Sequence, residues 1–67
     1  MKEFIPRQGD VVAVSNNVEN WRPAVFIEHR WDGGDIYYVQ GYYKEHYIEK
    51  FLYCEPLTKH FCVTRDA

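Results

Sequence analysis

Short runs of β-branched and aromatic residues, separated by clusters of Gly, Pro, Asn, Ser and Asp, set the rhythm of this chain. After a turn at Pro6 and Gly9-Asp10, the run Val11-Val12-Ala13-Val14-Ser15 predicts a first strand. Ser15 to Asn20 breaks it, because Ser and Asn bond turn backbones with their own side chains and Asn tolerates the left-handed conformation. From Trp21 to Arg30 apolar residues occupy both parities, Val25 and Ile27 on one and Ala24 and Phe26 on the other, which predicts a long curved strand covered on both faces. Pro23 confines the start of that strand to an edge or a bulge. Trp31-Asp32-Gly33-Gly34-Asp35 supplies the positive φ angles of a tight hairpin. Ile36 to Gln40 is the return strand, Tyr37 and Val39 alternating with Ile36 and Tyr38, and Gly41 ends it or marks a bulge.

The segment from Tyr42 to Tyr53 fits two templates. Tyr43, Tyr47, Ile48, Phe51 and Leu52 fall at helical spacing, with Lys44, Glu45, Glu49 and Lys50 opposite. The aromatic-rich Phe51-Leu52-Tyr53-Cys54 runs straight to Pro56, whose preceding residue is pushed into extended conformation. Tyr47 to Glu55 is therefore assigned as strand. Pro56 to His60 predicts one 3₁₀ turn, Phe61 to Thr64 a last short strand, and Arg65 to Ala67 a frayed tail.

Sixty-seven residues leave room for one core, so residues 1–67 are expected to form a single domain. The composition, 46% hydrophobic, 27% charged and 18% aromatic, excludes disorder and low complexity. A net charge of −2 gives no global electrostatic footprint for nucleic acid. No stretch approaches the roughly 18–20 apolar residues of a membrane helix, and Met1 to Pro6 lacks the apolar core of a signal peptide, so a cytoplasmic protein with no membrane partner is expected. Cys54 and Cys62 are then expected to be reduced thiols.

Five short strands in about 60 residues suit a small, strongly bent all-β barrel, and an SH3-like antiparallel barrel is the economical solution. Gly9-Asp10-Val11-Val12-Ala13-Val14, Trp21-Arg22-Pro23-Ala24-Val25 and Tyr37-Tyr38-Val39 before Gly41-Tyr42-Tyr43 resemble the Tudor and chromo-barrel branch of that fold. There a "G-x-x-V-x-A" strand is followed by "W-x-x-A-x-V" and a strand ending in aromatics. The resemblance covers about residues 9 to 43. Trp21-x-Pro23, Phe26, Tyr38-x-Gln40-Gly41, Lys50 and His60-x-x-x-Thr64 are also similar to short uncharacterised proteins of gut bacteria and their phages, which implies a bacterial or phage origin.

Tudor-like barrels use rim aromatics as a cage whose π faces attract a methylated ammonium or a guanidinium. The resemblance implies Trp21, Tyr38, Tyr42 and Tyr43 as ligand-binding residues, with Tyr37 a further candidate. Lys44 departs from the pattern by standing where cage readers often carry an acid or Asn. Packing of Trp21 and half of the tyrosines in the core or rim is the competing explanation. The function expected is a non-catalytic interaction module for a protein or peptide, with no cofactor; nucleic-acid binding and phage inhibition of a host factor are the alternatives. His29, His46, His60, Cys54 and Cys62 could supply zinc donors, but none is spaced as a C-x₂-C or H-x₃₋₅-H pair, so no metal is expected. A thiolate nucleophile built from Cys54 with His29, or Cys62 with His60, has nothing to orient it. Arg22, His29, Arg30, Lys44, Lys50 and Lys59 interleave with aromatics as in single-strand binders, yet Glu28, Asp32, Asp35, Glu45 and Glu49 lie among them. Exposed strand edges offer a further route, to self-association or to a partner peptide.

Overall fold

β-Branched and aromatic content decides the elements of the computed structural model, which describes residues 4–41 and 47–61. Val11–Ser15 forms β1, Arg22–Trp31 β2, Asp35–Gly41 β3, Ile48–Phe51 β4 and Tyr53–Pro56 β5; Leu57–His60 is a helical turn, α1. All strand pairings are antiparallel, in one five-stranded sheet of order β4-β3-β2-β1-β5. The Asp-Gly-Gly turn joins β2 to β3 with Gly33 at φ 71°. Pro23 lies before the first β2–β3 pair, Ala24 with Gly41, so its missing N–H interrupts no described ladder on that side.

The strand expected over Tyr47 to Glu55 is divided at Leu52. β4 pairs with β3 and β5 pairs with β1, on opposite edges of the sheet. The break has a bonding cause: the Leu52 N–H donates to the Asn16 side-chain oxygen at 3.1 Å instead of entering a ladder. In a flat sheet the two edges would stand about 19 Å apart, at ~4.8 Å per strand. A single intervening residue spans at most about 7 Å, so the sheet must curl. Cα atoms of β3 and β5, three strand spacings apart in the ladder, accordingly come within 8 Å. β4 and β5 are not themselves paired, and the hydrogen-bonded sheet stays open.

The turn after Pro56 is α rather than 3₁₀, because the Phe61 N–H reaches back four residues to the Leu57 carbonyl at 2.9 Å. Phe61 itself caps this turn and joins no strand; residues 62–64 of the expected last strand lie outside the described residues.

Val12, Val14, Ala24, Phe26, Val39 and Phe51 form the core, with Tyr37 and Cys54 packed against it. Apolar residues on both parities of β2 reflect a bulge: Phe26 faces Val39 while Glu28 faces Tyr38, leaving Ile27 unpaired. Ala24 and Phe26 are buried, and Val25 and Ile27 are half-buried. The bulge switches parity, so His29 rather than Glu28 shares the Tyr37 face. Ala13 is fully buried although it alternates with Val12 and Val14, because α1 packs on the back of β1.

The loop after β1 is held by side chains. The buried Ser15 hydroxyl accepts the N–H groups of Asn17 and Val18, and Asn17 Oδ1 accepts those of Glu19 and Asn20. Left-handed backbone falls on Val18, at φ 62°, rather than on an Asn.

Candidate functional site

Trp21 closes the polar loop and is half-buried. Its indole N–H donates to the Val18 carbonyl at 3.2 Å, and its ring stacks on His60 of α1 with centroids 3.8 Å apart at 13°. His60 Nε2 in turn meets Glu55 Oε1 at 2.5 Å, and Lys59 Nζ meets the other oxygen at 2.9 Å. This chain of contacts fastens α1 over Ala13. One face of Trp21 is therefore already covered by His60.

Lys59 first, and then His60, hold the Glu55 carboxyl below its ordinary value near 4.5. Because the folded pKa is depressed, the stabilisation is present above the unfolded pKa and is lost as pH falls through the folded one. Glu55→Gln should therefore melt roughly 2–4 °C below wild type at pH 6, as expected for a mostly exposed pair. The gap should narrow as pH falls below the ordinary carboxylate range and close once Glu55 is protonated in the folded state as well. Thermal melts at pH 6 and in acid check this; a gap that persists in acid would show that Glu55 acts through packing.

Tyr38 lies elsewhere. It pairs with Glu28 of β2, seven positions beyond Trp21, which immediately precedes that strand, on the order of 20 Å along the chain. The Arg30 guanidinium sits over the Tyr38 ring at 5.1 Å and also bonds Glu28. Trp21 and Tyr38 are thus not brought into one cage. Tyr42 and Tyr43, expected to complete it, lie outside the described residues, as does Lys44. Tyr37 faces the core and stacks on His29 at 4.9 Å, with His29 bonded to Asp35 at 2.7 Å.

The outer face of the β3–β4 pair is built by alternation. Ile36, Tyr38 and Gln40 of β3 stand on the parity opposite to Tyr37 and Val39, and Lys50 and Ile48 lie directly across from Tyr38 and Gln40. Leu52 continues that row beside Ile36, and a shallow groove is lined by Asn16, Ile36, Lys50, Phe51 and Leu52. Ile48 is 64% exposed and Leu52 53%. Lys50 makes no ion pair among the described residues. Trp31, 72% exposed at the end of β2, is an aromatic that a reading of it as a turn residue passes over.

No family model, no curated protein and no solved structure matches the chain. The site therefore rests on its own geometry. Cys54 is a free, half-buried thiol whose burial, and the nearby Glu55 charge, push its pKa up to about 11, so it is un-ionised near neutrality. It lies across β1 from Arg22, seven residues along β2 from His29, and the pair imagined as a nucleophile and its base is not assembled. No three His, Cys, Asp or Glu side chains among the described residues are grouped to hold a metal ion; His46 and Cys62 lie outside them. Three of the cations that could meet phosphates are paired with acids: Arg30 with Glu28, His29 with Asp35 and Lys59 with Glu55. No helix among the described residues is long and apolar enough to cross a membrane.

Proposed function

We propose that this chain is an SH3-like barrel serving as a non-catalytic module that docks a protein or peptide on the outer face of β3 and β4. The strand order and the forced curl at Leu52 support the barrel. The observation that carries the docking surface is the row Ile48, Lys50 and Leu52 beside Tyr38 and Ile36. Two of its apolar side chains are more than half exposed around a cation that has no ion-pair partner among the described residues. In a domain this small, leaving such side chains in water forgoes stabilisation that the core needs, about 1.5–3 kcal/mol for a fully buried Leu or Ile. Binding recovers it.

Peptides selected from a random library against the immobilised protein test the proposal. Binding should be lost in Ile48→Asp, retained in Trp31→Ala, and nearly independent of salt. Selected binders indifferent to Ile48→Asp would defeat it. An oligonucleotide complex whose affinity falls steeply with ionic strength would favour the nucleic-acid alternative instead.

A further inference from the structure

The edge of β4 carries more information than its exposure. The Gly41 N–H donates to the Tyr47 carbonyl at 3.1 Å, so residues 41 and 47 form a hydrogen-bonded antiparallel pair. Such pairs alternate with non-bonded ones. Val39–Glu49 and Tyr37–Phe51 are then bonded pairs, whereas Ile48 and Lys50 turn their backbone N–H and C=O away from β3, toward the edge that no described strand covers. Leu52 belongs to the same set, but its N–H is already taken by Asn16 Oδ1. Asn16 stands where a neighbouring strand's carbonyl would stand, and it limits the open ladder to Ile48 and Lys50.

A second copy of the chain fits this edge poorly. Antiparallel pairing of identical strands about a two-fold axis keeps each side chain on its own face, and of the registers that keep three β4 residues in the ladder, one sets Glu49 against Glu49 and the other Lys50 against Lys50. Like charges directly opposite are unfavourable. Glu49, on the parity of the buried Val39, is also an inward-pointing edge charge of the type that blocks indiscriminate pairing. A foreign strand has no such constraint and can match Lys50.

We propose that this edge of β4 accepts an antiparallel strand from a partner protein. That strand places a carboxylate opposite Lys50 and apolar side chains two residues to either side, against Ile48 and Leu52. This deepens, and rests on, the docking role of the outer face. Backbone bonds to Ile48 and Lys50 supply affinity, and the alternating side chains supply specificity. The recognised segment is short, of the form apolar-x-acidic-x-apolar.

The test uses the whole chain labelled with ¹³C and ¹⁵N and two blocked heptapeptides, T-V-T-E-T-V-T and its Lys-centred counterpart. The Glu peptide should slow hydrogen exchange of the Ile48 and Lys50 amides, with the Lys peptide about tenfold weaker or worse. Lys50→Glu, at an exposed and unpaired position, should reverse that preference. Equal affinity for the two peptides, or unprotected Ile48 and Lys50 amides at saturation, would overturn strand addition. If side-chain signals of Tyr38 and Leu52 still respond in that case, the outer-face role survives while the strand does not. If library-selected binders leave that face silent, both fall.

Discussion

Phe26→Ala is expected to leave the chain unfolded at 25 °C. Phe26 is buried at the centre of the sheet opposite Val39, and its backbone is engaged as well, donating to the Asp10 carbonyl at 2.8 Å and accepting from the Gly9 N–H at 2.9 Å. Truncating a buried Phe costs about 3–5 kcal/mol. A core of this size supplies a net stability of only about 3–5 kcal/mol. The two magnitudes meet, so the mutant has nothing left. Phe26→Leu, which keeps most of the volume, should cost under about 1.5 kcal/mol and stay folded. Urea titration followed by circular dichroism distinguishes them, and a cooperative Phe26→Ala transition of full amplitude would show that the core is larger than its six buried members.

Trp21→Ala should destabilise the domain by about 2 kcal/mol, less than a fully buried Trp because the ring is half-buried. The corresponding fall in Tm is roughly 10 °C. The loss comes from both ends of the residue: the His60 stack that fastens α1, and the indole bond that fixes the strained Val18 carbonyl. Trp31→Ala, with its ring in water, should stay within about 0.5 kcal/mol of wild type. Paired thermal melts measure the contrast. Equal melting of Trp21→Ala and wild type would mean that α1 is held without the stack.

What could be read from the sequence was what neighbouring residues decide. β1 and the β2–β3 hairpin follow from a β-branched run and an Asp-Gly-Gly turn, whereas apolar residues on both parities of β2, which suggest a strand covered on both faces, are explained by the bulge at Ile27. The break at Leu52 was hidden because its cause, Asn16, is 36 residues away in the chain. The family resemblance implies a cage of Trp21 with Tyr38, but the six residues of β2 between Trp21 and Glu28, the partner of Tyr38, carry them apart. The sequence offers His60 only as a zinc donor or a partner of Cys62, and the fold brings it onto Trp21 instead. The outer face of β4 was missed for a different reason: Ile48 and Leu52 suit a core as well as a surface until the register assigns them a side.

The place of β1 in the sheet also fixes the order in which the molecule can be assembled. Its ladder with β2 is local, but its other ladder waits for β5, as in the pairing of Val14 with Cys54. At a translation rate of about 5–20 residues per second, some 40 intervening residues take roughly 2–8 s to make. That is long beside the microseconds in which hairpins form. Throughout that interval the growing meander, first β1 alone and then with β2, β3 and β4 in turn, has β1, with its Val-rich sequence and no charged side chain, as an uncovered rim. β4, guarded by Glu49 and Lys50, is the safe rim; β1 is not. The ribosome-bound chain, rather than the finished domain, is therefore the form most open to strand exchange with other nascent proteins, and a holdase that shields Val11 to Ser15 is the assistance its topology calls for.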